Sequence, residues 1–340
     1  MGVATGSRAG HLLMKGKLDY VWPFVGLAAV AFSIWLLSSE LKGVDFAEVW
    51  GAIVARGPLA LSLCVASTLL AYAALAWYDR IAIMHVGKTV SWYLVSVVSF
   101  TAYALSHNIG ASVFSSGVVR YRAYSRLGLT LGEVAIVTAF CAFTFAYGSI
   151  LLGGIVLVGE PDVISRLYEI PESVAVGIGL VLLAATALYQ LGSILHFKPL
   201  VIRKFRIEYP RPAIAFRQMF AAPIEIIGAA AIIYFALPEA GNPGYFVVLG
   251  VFLAAFCAGL LSNAPGGIGV FEYVFIKAMP EIPKAEVLAA LIVFRFLYLL
   301  IPLALACVVV VLAERKALGA SIRAMLSRLG LAAPQGKPEG

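Results

Sequence analysis

The chain has 340 residues, 62% of them hydrophobic and only 13% charged, with a net charge of +7. A water-soluble globular fold cannot hide that much apolar surface, and the basic residues are scattered among short loops, which also excludes a nucleic-acid binder. Apolar runs of about 18 residues or more recur, each long enough to cross a hydrocarbon core of roughly 30 Å, so the chain reads as an all-α integral membrane protein.

The first apolar run, Tyr20 to Ser38, follows Arg8, Lys15 and Lys17 and is not followed by a small-residue cleavage site. It reads as an uncleaved span rather than a signal peptide. Full spans are expected at 20–39, 58–78, 133–157, 174–195, 213–237 and 287–313. Two further segments, 90–119 and 244–280, each contain a break. The first reads Leu105-Ser106-His107-Asn108-Ile109-Gly110, the second Leu261-Ser262-Asn263-Ala264-Pro265-Gly266-Gly267-Ile268-Gly269, and the runs leading into them begin at Phe100 and Phe256. Lipid cannot hydrogen-bond a broken backbone, so such segments persist only when packed in protein or lining a polar cavity. Paired breaks in corresponding halves point to a transporter site near the bilayer midplane. Past Glu314, Leu318, Ile322, Met325, Leu326 and Leu329 recur at helical spacing among Arg315, Lys316, Arg323 and Arg328, as in an amphipathic helix lying on the interface. The expected domains are therefore a short cytoplasmic segment 1–19, a transmembrane domain 20–313, and an interfacial helix with a tail, 314–340.

Lysine and arginine set the topology. If both broken segments return to the face they entered, 18 of the 25 Lys/Arg share one face with both termini. Five (Lys42, Arg56, Arg166, Lys277, Lys284) lie on the other, with most of the acids, and Arg217 and Arg295 stay within spans. Full crossing by the first broken segment would push Arg120, Arg122 and Arg126 outside. Six full spans plus two re-entrant hairpins, about eight membrane segments, fit best, with both termini cytoplasmic. Hairpins entering from opposite sides are what an inverted-topology repeat produces.

Pro265 suits the first turn of a half-helix running through Phe271, Glu272, Tyr273 and Phe275, and its N-terminal N–H groups and dipole would attract an anion such as a lipid phosphate. The same Gly266, Gly267 and Gly269 would also serve close helix packing. In the first break Ser112 would cap a second half-helix running to Val119, its N-terminus meeting the other near the midplane. His107 and Asn108 add neutral hydrogen-bonding groups, and a lone histidine there reads as a satisfied polar contact rather than a proton relay. Glu225, Glu272 and Arg295 are ionisable residues inside membrane segments, functional by default. Arg295, with Tyr298 on nearly the same face, either pairs with Glu272 or Glu225, forks onto a phosphate, or exchanges between the two. Glu225, two residues after Pro223, either meets a cationic headgroup or holds Arg217. Arg120-Tyr121-Arg122 is either a headgroup collector or an interfacial anchor. Cys64, Cys141, Cys257 and Cys307, all in spans and none in a CxxC, read as buried apolar residues. No nucleotide, zinc-protease or nucleophile-elbow motif occurs, so neither catalytic residue, metal nor cofactor is expected, and transport would run downhill or on an ion gradient.

Three blocks together, Asn108–Tyr121, Ser262–Glu272 and Phe294-Arg295-Phe296-Leu297-Tyr298, resemble the lysylphosphatidylglycerol synthase/flippase transmembrane family of the multiple peptide resistance factor type. The resemblance covers residues 20–313. It implies a flippase-like fold that moves aminoacylated phosphatidylglycerol between leaflets, with Arg120, Gly266, Gly267, Gly269, Glu272, Arg295 and Tyr298 as site residues beside the candidates Asn108 and Glu225. In fused members, which confer resistance to cationic peptides, aminoacyl transfer belongs to a soluble domain following the membrane part, and that domain is not expected here. The residues and the resemblance together read as a flippase or scramblase for an anionic or aminoacylated phospholipid. The alternative is a membrane subunit or enzyme of aminoacyl-phospholipid or lipid-linked glycan synthesis. Expected partners are the phospholipid, a cytoplasmic lipid-modifying synthase and further copies of the chain.

Overall fold

Within hydrocarbon each backbone N–H and C=O must find its partner in its own segment, and apolar runs do this as helices. The computed structural model describes residues 47, 51, 54–109, 112–197, 200–202, 205–207, 209–262 and 269–328. In chain order these form α1 (Gly57–His85), α2 (Trp92–Ile109), α3 (Ser112–Tyr124), α4 (Leu131–Gly159), the single turn α5 (Asp162–Ser165), α6 (Glu172–Ile194), β1 (Leu200–Ile202), β2 (Phe205–Ile207), α7 (Pro212–Ala236), α8 (Tyr245–Ser262), α9 (Val270–Ala278), α10 (Lys284–Phe294), a wider π turn (Arg295–Leu300) and α11 (Ile301–Arg328). Among the described residues five helices are long and apolar enough to cross a membrane: α1, α4, α6, α7 and the run Lys284–Ala313. The expected span 20–39 and the tail after Arg328 lie outside the described residues, as do Gly110, Ala111 and the stretch 263–268 with Gly266 and Gly267.

The starts and stops follow local chemistry. Thr130 and Glu133 form a reciprocal capping box at α4, the Glu133 N–H donating to Thr130 Oγ1 (3.2 Å) and the Thr130 N–H to Glu133 Oε2 (2.7 Å). Pro58 and Pro212 sit in the first turns of α1 and α7, where no N–H is needed. Three expectations change. Helix α1 runs on to His85 instead of ending at 78, because nothing between Tyr78 and His85 breaks a helix, and this brings Asp79 into the bundle. The basic loop 196–212 contains a two-stranded antiparallel hairpin, Val201 opposite Arg206, so the chain is helical but not purely so. Finally, α11 passes Glu314 without interruption, since Glu314, Arg315 and Lys316 are good helix formers, and residues 314–328 continue the last span instead of starting a separate helix.

The centre of the bundle is α1 against α7, brought close by small residues. A methyl group on Gly228 would lie 3.0 Å from Ser67 O and 3.1 Å from Ala71 N, and Cys64 Sγ donates to Ile232 O across the same seam (3.4 Å). Helix α4 packs on α7 where Gly148 faces Ala222, and on α6 where Gly154 faces Gly179. Helices α2 and α8 are each 18 residues long, and each packs against the short helix that follows it, of 13 and 9 residues respectively. At about 1.5 Å per residue neither short helix spans a core of roughly 30 Å. Helices α1, α2, α3 and α4 are followed in the same order by α7, α8, α9 and α10, each starting about 155 residues later.

Side chains tie the loops together at two ends. At the His85 end of α1, Lys88 pairs with Glu133 (3.1 Å) and Arg217 Nη1 donates to Met84 Sδ (3.2 Å). At the Gly57 end, Arg56 pairs with Glu286, Arg166 with Glu281 (2.7 Å), and Lys277 Nζ donates to Leu167 O (2.6 Å).

Candidate functional site

Three clusters of polar side chains, two buried and the one at Glu272 half-buried, lie where the broken helices meet the long ones. The first joins α1 to α3. Arg120 Nε and Nη2 donate to the two oxygens of Asp79, each at 2.8 Å, and Tyr124 OH donates to Asp79 Oδ1 at 3.1 Å. The guanidinium lies 4.8 Å from the centre of the Tyr103 ring, and Cys141 Sγ approaches Asp79 Oδ2 at 3.9 Å. Both charges are withdrawn from the surface, Asp79 at 0% and Arg120 at 1% exposure. Bidentate geometry, extra donors on the carboxylate and an aromatic face under the cation are what make so deep a pair tolerable. Sequence reasoning put Arg120 at the interface and passed over Asp79, because a charge after an apolar run looks like a span's end; the surrounding Tyr78-Asp79-Arg80 gave no other signal.

The second cluster joins α9 to the π turn. Glu272 Oε1 accepts from Arg295 Nε (2.9 Å) and Nη2 (2.6 Å), while Oε2 accepts the N–H of Gly269 (2.8 Å). Gly269 has φ +80°, a left-handed conformation that favours glycine. One carboxylate therefore fills the N-terminus of the half-helix and grips the arginine. Of the three roles open to Arg295, the structure displays the pair with Glu272. An incoming anion at the amides of α9 would have to displace this glutamate.

The third cluster surrounds Glu225 in the middle of α7, 4% exposed. Tyr298 OH donates to Glu225 Oε1 at 2.6 Å, and Tyr78 OH lies 3.1 Å from Ala222 O and 3.4 Å from Glu225 Oε2. Glu225 does not hold Arg217, which turns to Met84. The π turn has a legible cause. Pro302 lacks the N–H that would close the helix onto Tyr298 O and crowds that carbonyl, so the turn before it widens. Tyr72 OH donates to Tyr298 O in place of the absent N–H (3.0 Å), and Asn108 Nδ2 donates to the neighbouring Leu299 O (3.3 Å) and to Ala104 O (2.8 Å). His107 stacks on Tyr298, ring centres 5.5 Å apart, and its Nδ1 is buried without a hydrogen-bond partner, so the satisfied contact expected of it is not made at that atom.

Thus Asn108, His107, Glu225 and Tyr298 converge, Glu272 of α9 pairs with Arg295 of the same π turn, and Arg120 lies in a separate cluster whose Tyr103 is 5.6 Å from His107 between ring centres. The tyrosines at 72, 78, 103 and 124 were not singled out from sequence. Among the described residues no three His, Cys, Asp or Glu side chains gather as a metal site. Cys64 and Cys141 are buried, but Cys257 is exposed and Cys307 half-buried on the bundle's apolar exterior.

Comparison with known proteins gives the family of the chain. Residues 24–306 match the family described as lysylphosphatidylglycerol synthase TM region. The inner membrane protein YbhN of Escherichia coli is 33% identical over 287 residues, covering 83% of this chain and 89% of that protein. The uncharacterized protein slr0712 of Synechocystis is 30% identical over 283 residues, covering 82% and 87%. The phosphatidylglycerol lysyltransferase of Bacillus subtilis is 24% identical over 306 residues, which are 86% of this chain but only 34% of that longer protein. The chain is a helical membrane protein that belongs to the lysylphosphatidylglycerol synthase transmembrane-region family.

Proposed function

We propose that the chain moves a phospholipid headgroup between the leaflets of a bacterial inner membrane, as a flippase- or scramblase-like protein whose substrate is an anionic or aminoacylated phosphatidylglycerol. The observation that carries this reading is the convergence of two interrupted helices, with first arms of equal length, on one interior set of polar side chains: Asn108, Glu225, Glu272, Arg295 and Tyr298. Intramembrane charges at broken helices are the usual furniture of a substrate path. The name of the Bacillus subtilis relative supports the headgroup class.

In this reading α2–α3 and α8–α9 are re-entrant hairpins that enter from opposite faces, related as inverted repeats, within six full spans and cytoplasmic termini. Two contacts support it. Lys88 and Glu133 pair across the base of α2–α3, and a methyl group on Gly241 would lie 2.9 Å from Glu281 O across the base of α8–α9. A phosphate entering from the cytoplasm would compete with Asp79 for Arg120, then with Glu272 for Arg295 and the amides near Gly266, Gly267 and Gly269. Rocking of the repeats would release it outside while the acyl chains stay in the bilayer.

The test is leaflet exchange of labelled phosphatidylglycerol, its lysyl ester and phosphatidylcholine in liposomes containing the purified protein. Headgroup-selective exchange that is lost in both Arg295→Ala and Glu272→Gln is the expected result. Folded protein that exchanges no lipid faster than empty liposomes overturns the reading in favour of a synthase subunit.

A further inference from the structure

The carboxylates of the three clusters are not equivalent. Asp79 and Glu272 each hold an arginine, whereas the interactions of Glu225 are with tyrosines. Tyr78 and Tyr298 hydrogen-bond Glu225, and Tyr72 lies against Tyr298, ring centres 5.5 Å apart; charged and titratable groups on neighbouring elements include Asp79, Tyr103, His107, Arg120, Cys141, Arg217, Tyr245, Glu272 and Arg295. Of these, Arg120 lies on Asp79, Arg295 on Glu272, and Arg217 on Met84 Sδ. Tyr245 OH donates to Ile227 O.

Counting protons around the carboxyl is informative. Tyr298 OH donates to Oε1 at 2.6 Å. Tyr78 has one hydroxyl proton and two acceptors, Ala222 O at 3.1 Å and Glu225 Oε2 at 3.4 Å. With that proton on the nearer carbonyl, the phenolic oxygen faces Oε2 as an acceptor, which is matched when Oε2 itself carries a hydrogen. An ionised carboxylate at this depth would instead rest on one full hydrogen bond and no cation, a costly arrangement.

We propose that Glu225 is an interior proton-binding site, whose ligand is H⁺. In one state the carboxyl O–H donates to Tyr78 Oη and Tyr78 donates to Ala222 O. On release the carboxyl O–H bond breaks, the pair of electrons stays on Oε2, and the proton leaves for water. Tyr78 then turns its hydroxyl hydrogen from Ala222 O to the new carboxylate. His107, stacked over Tyr298, has a buried Nδ1 without a hydrogen-bond partner. Because Tyr298 belongs to the π turn that also carries Arg295, the proton state of Glu225 bears on the same element that the lipid reading uses; that coupling, though not the site itself, rests on the lipid reading.

The experiment is infrared difference spectroscopy of the full chain in phosphatidylglycerol liposomes, stepped between about pH 5 and about pH 9, the range that brackets buried glutamates. Expected is a protonated-carboxyl C=O band that disappears at high pH, is missing in Glu225→Gln, and moves to higher frequency in Tyr298→Phe, where the carbonyl has lost its donor. Should Glu225→Gln fail to fold, the frequency shift in Tyr298→Phe decides. A folded Glu225→Gln protein with the wild-type bands, or an unshifted band in Tyr298→Phe, overturns the site. Lipid exchange measured on the same liposomes separates the two ideas. A titrating Glu225 band without exchange supports the proton site and removes the lipid reading. Exchange without the band removes the proton site and leaves the lipid reading in place.

Discussion

Asp79 of α1 and Arg120 of α3 meet as a two-pronged ion pair, with Nε and Nη2 each 2.8 Å from a different carboxylate oxygen and both side chains enclosed by the bundle. The pair fastens the short helix α3 to the central helix, so it has a structural consequence whatever else Arg120 binds. Asp79→Ala, which leaves an unpaired buried guanidinium, is expected to cost about 3–5 kcal/mol. Arg120→Ala should cost a similar amount, and the double variant clearly less than the two combined. Chemical unfolding in detergent checks this, and simple additivity would show that the pair is not coupled.

The carbonyl left without a partner by Pro302 is served by Tyr72. Tyr72→Phe should therefore cost about 1–3 kcal/mol, the range for a buried acceptor that loses its donor. Hydrogen exchange should rise in the segment from Arg295 to Leu300 while α6, which does not touch it, stays unchanged. Wild-type protection in that segment would mean the π turn does not depend on this bond.

Gly228 marks the closest approach of α1 and α7 among the contacts described, with backbone atoms of Ser67 and Ala71 about where a side chain would go. Backbone cannot swing aside as a long side chain can. Gly228→Val is expected to destabilise by at least about 1–3 kcal/mol, the usual cost of overpacking, and Gly228→Ala by less. Thermal melts of the two variants should rank in that order. The control is Gly177→Ala on α6, where a methyl group would meet nothing within 4 Å.

Single cysteines in a background without the native four can locate the loops. If each broken pair is a hairpin, Gly87→Cys and Arg126→Cys react with an impermeant maleimide from one side, and Glu169→Cys, Glu239→Cys and Glu281→Cys from the other. Opposite labelling of positions 87 and 126 would mean that α2 and α3 together cross the membrane.

In the unmodified chain, Cys257 should be alkylated first by a membrane-permeant maleimide, with Cys307 slower and Cys64 and Cys141 protected until unfolding. Mass spectrometry of the labelled peptides gives the order. Early reaction at Cys141, which lies beside Asp79, would indicate that the Arg120 cluster opens to reagent.

Hydropathy and spacing alone were enough to recognise a helical membrane protein, to place α4, α6 and α7 within two residues at each end, and to mark the two interrupted segments with Asn108, Glu272, Arg295 and Tyr298 nearby. These are properties a segment carries with it: the length of an apolar run, a glycine or proline that breaks it, a charge where lipid would not tolerate one. The extent of α1 was not legible, because a charged residue ends a span on a hydropathy scale while doing nothing to stop a helix. Which partner each charge takes was not legible either. Asp79 reaches Arg120 across 41 residues and Tyr298 reaches Glu225 across 73, so their meeting depends on how the small faces of α1, α4 and α7 pack, not on any local pattern. Pro302 was in plain view, but its effect, a widened turn whose orphaned carbonyl is met by a tyrosine from another helix, exists only once α1 lies alongside. Burial chose the pairings: in a low-dielectric interior each charge and each unpaired carbonyl must find its complement, and the folded bundle decides which ones are within reach.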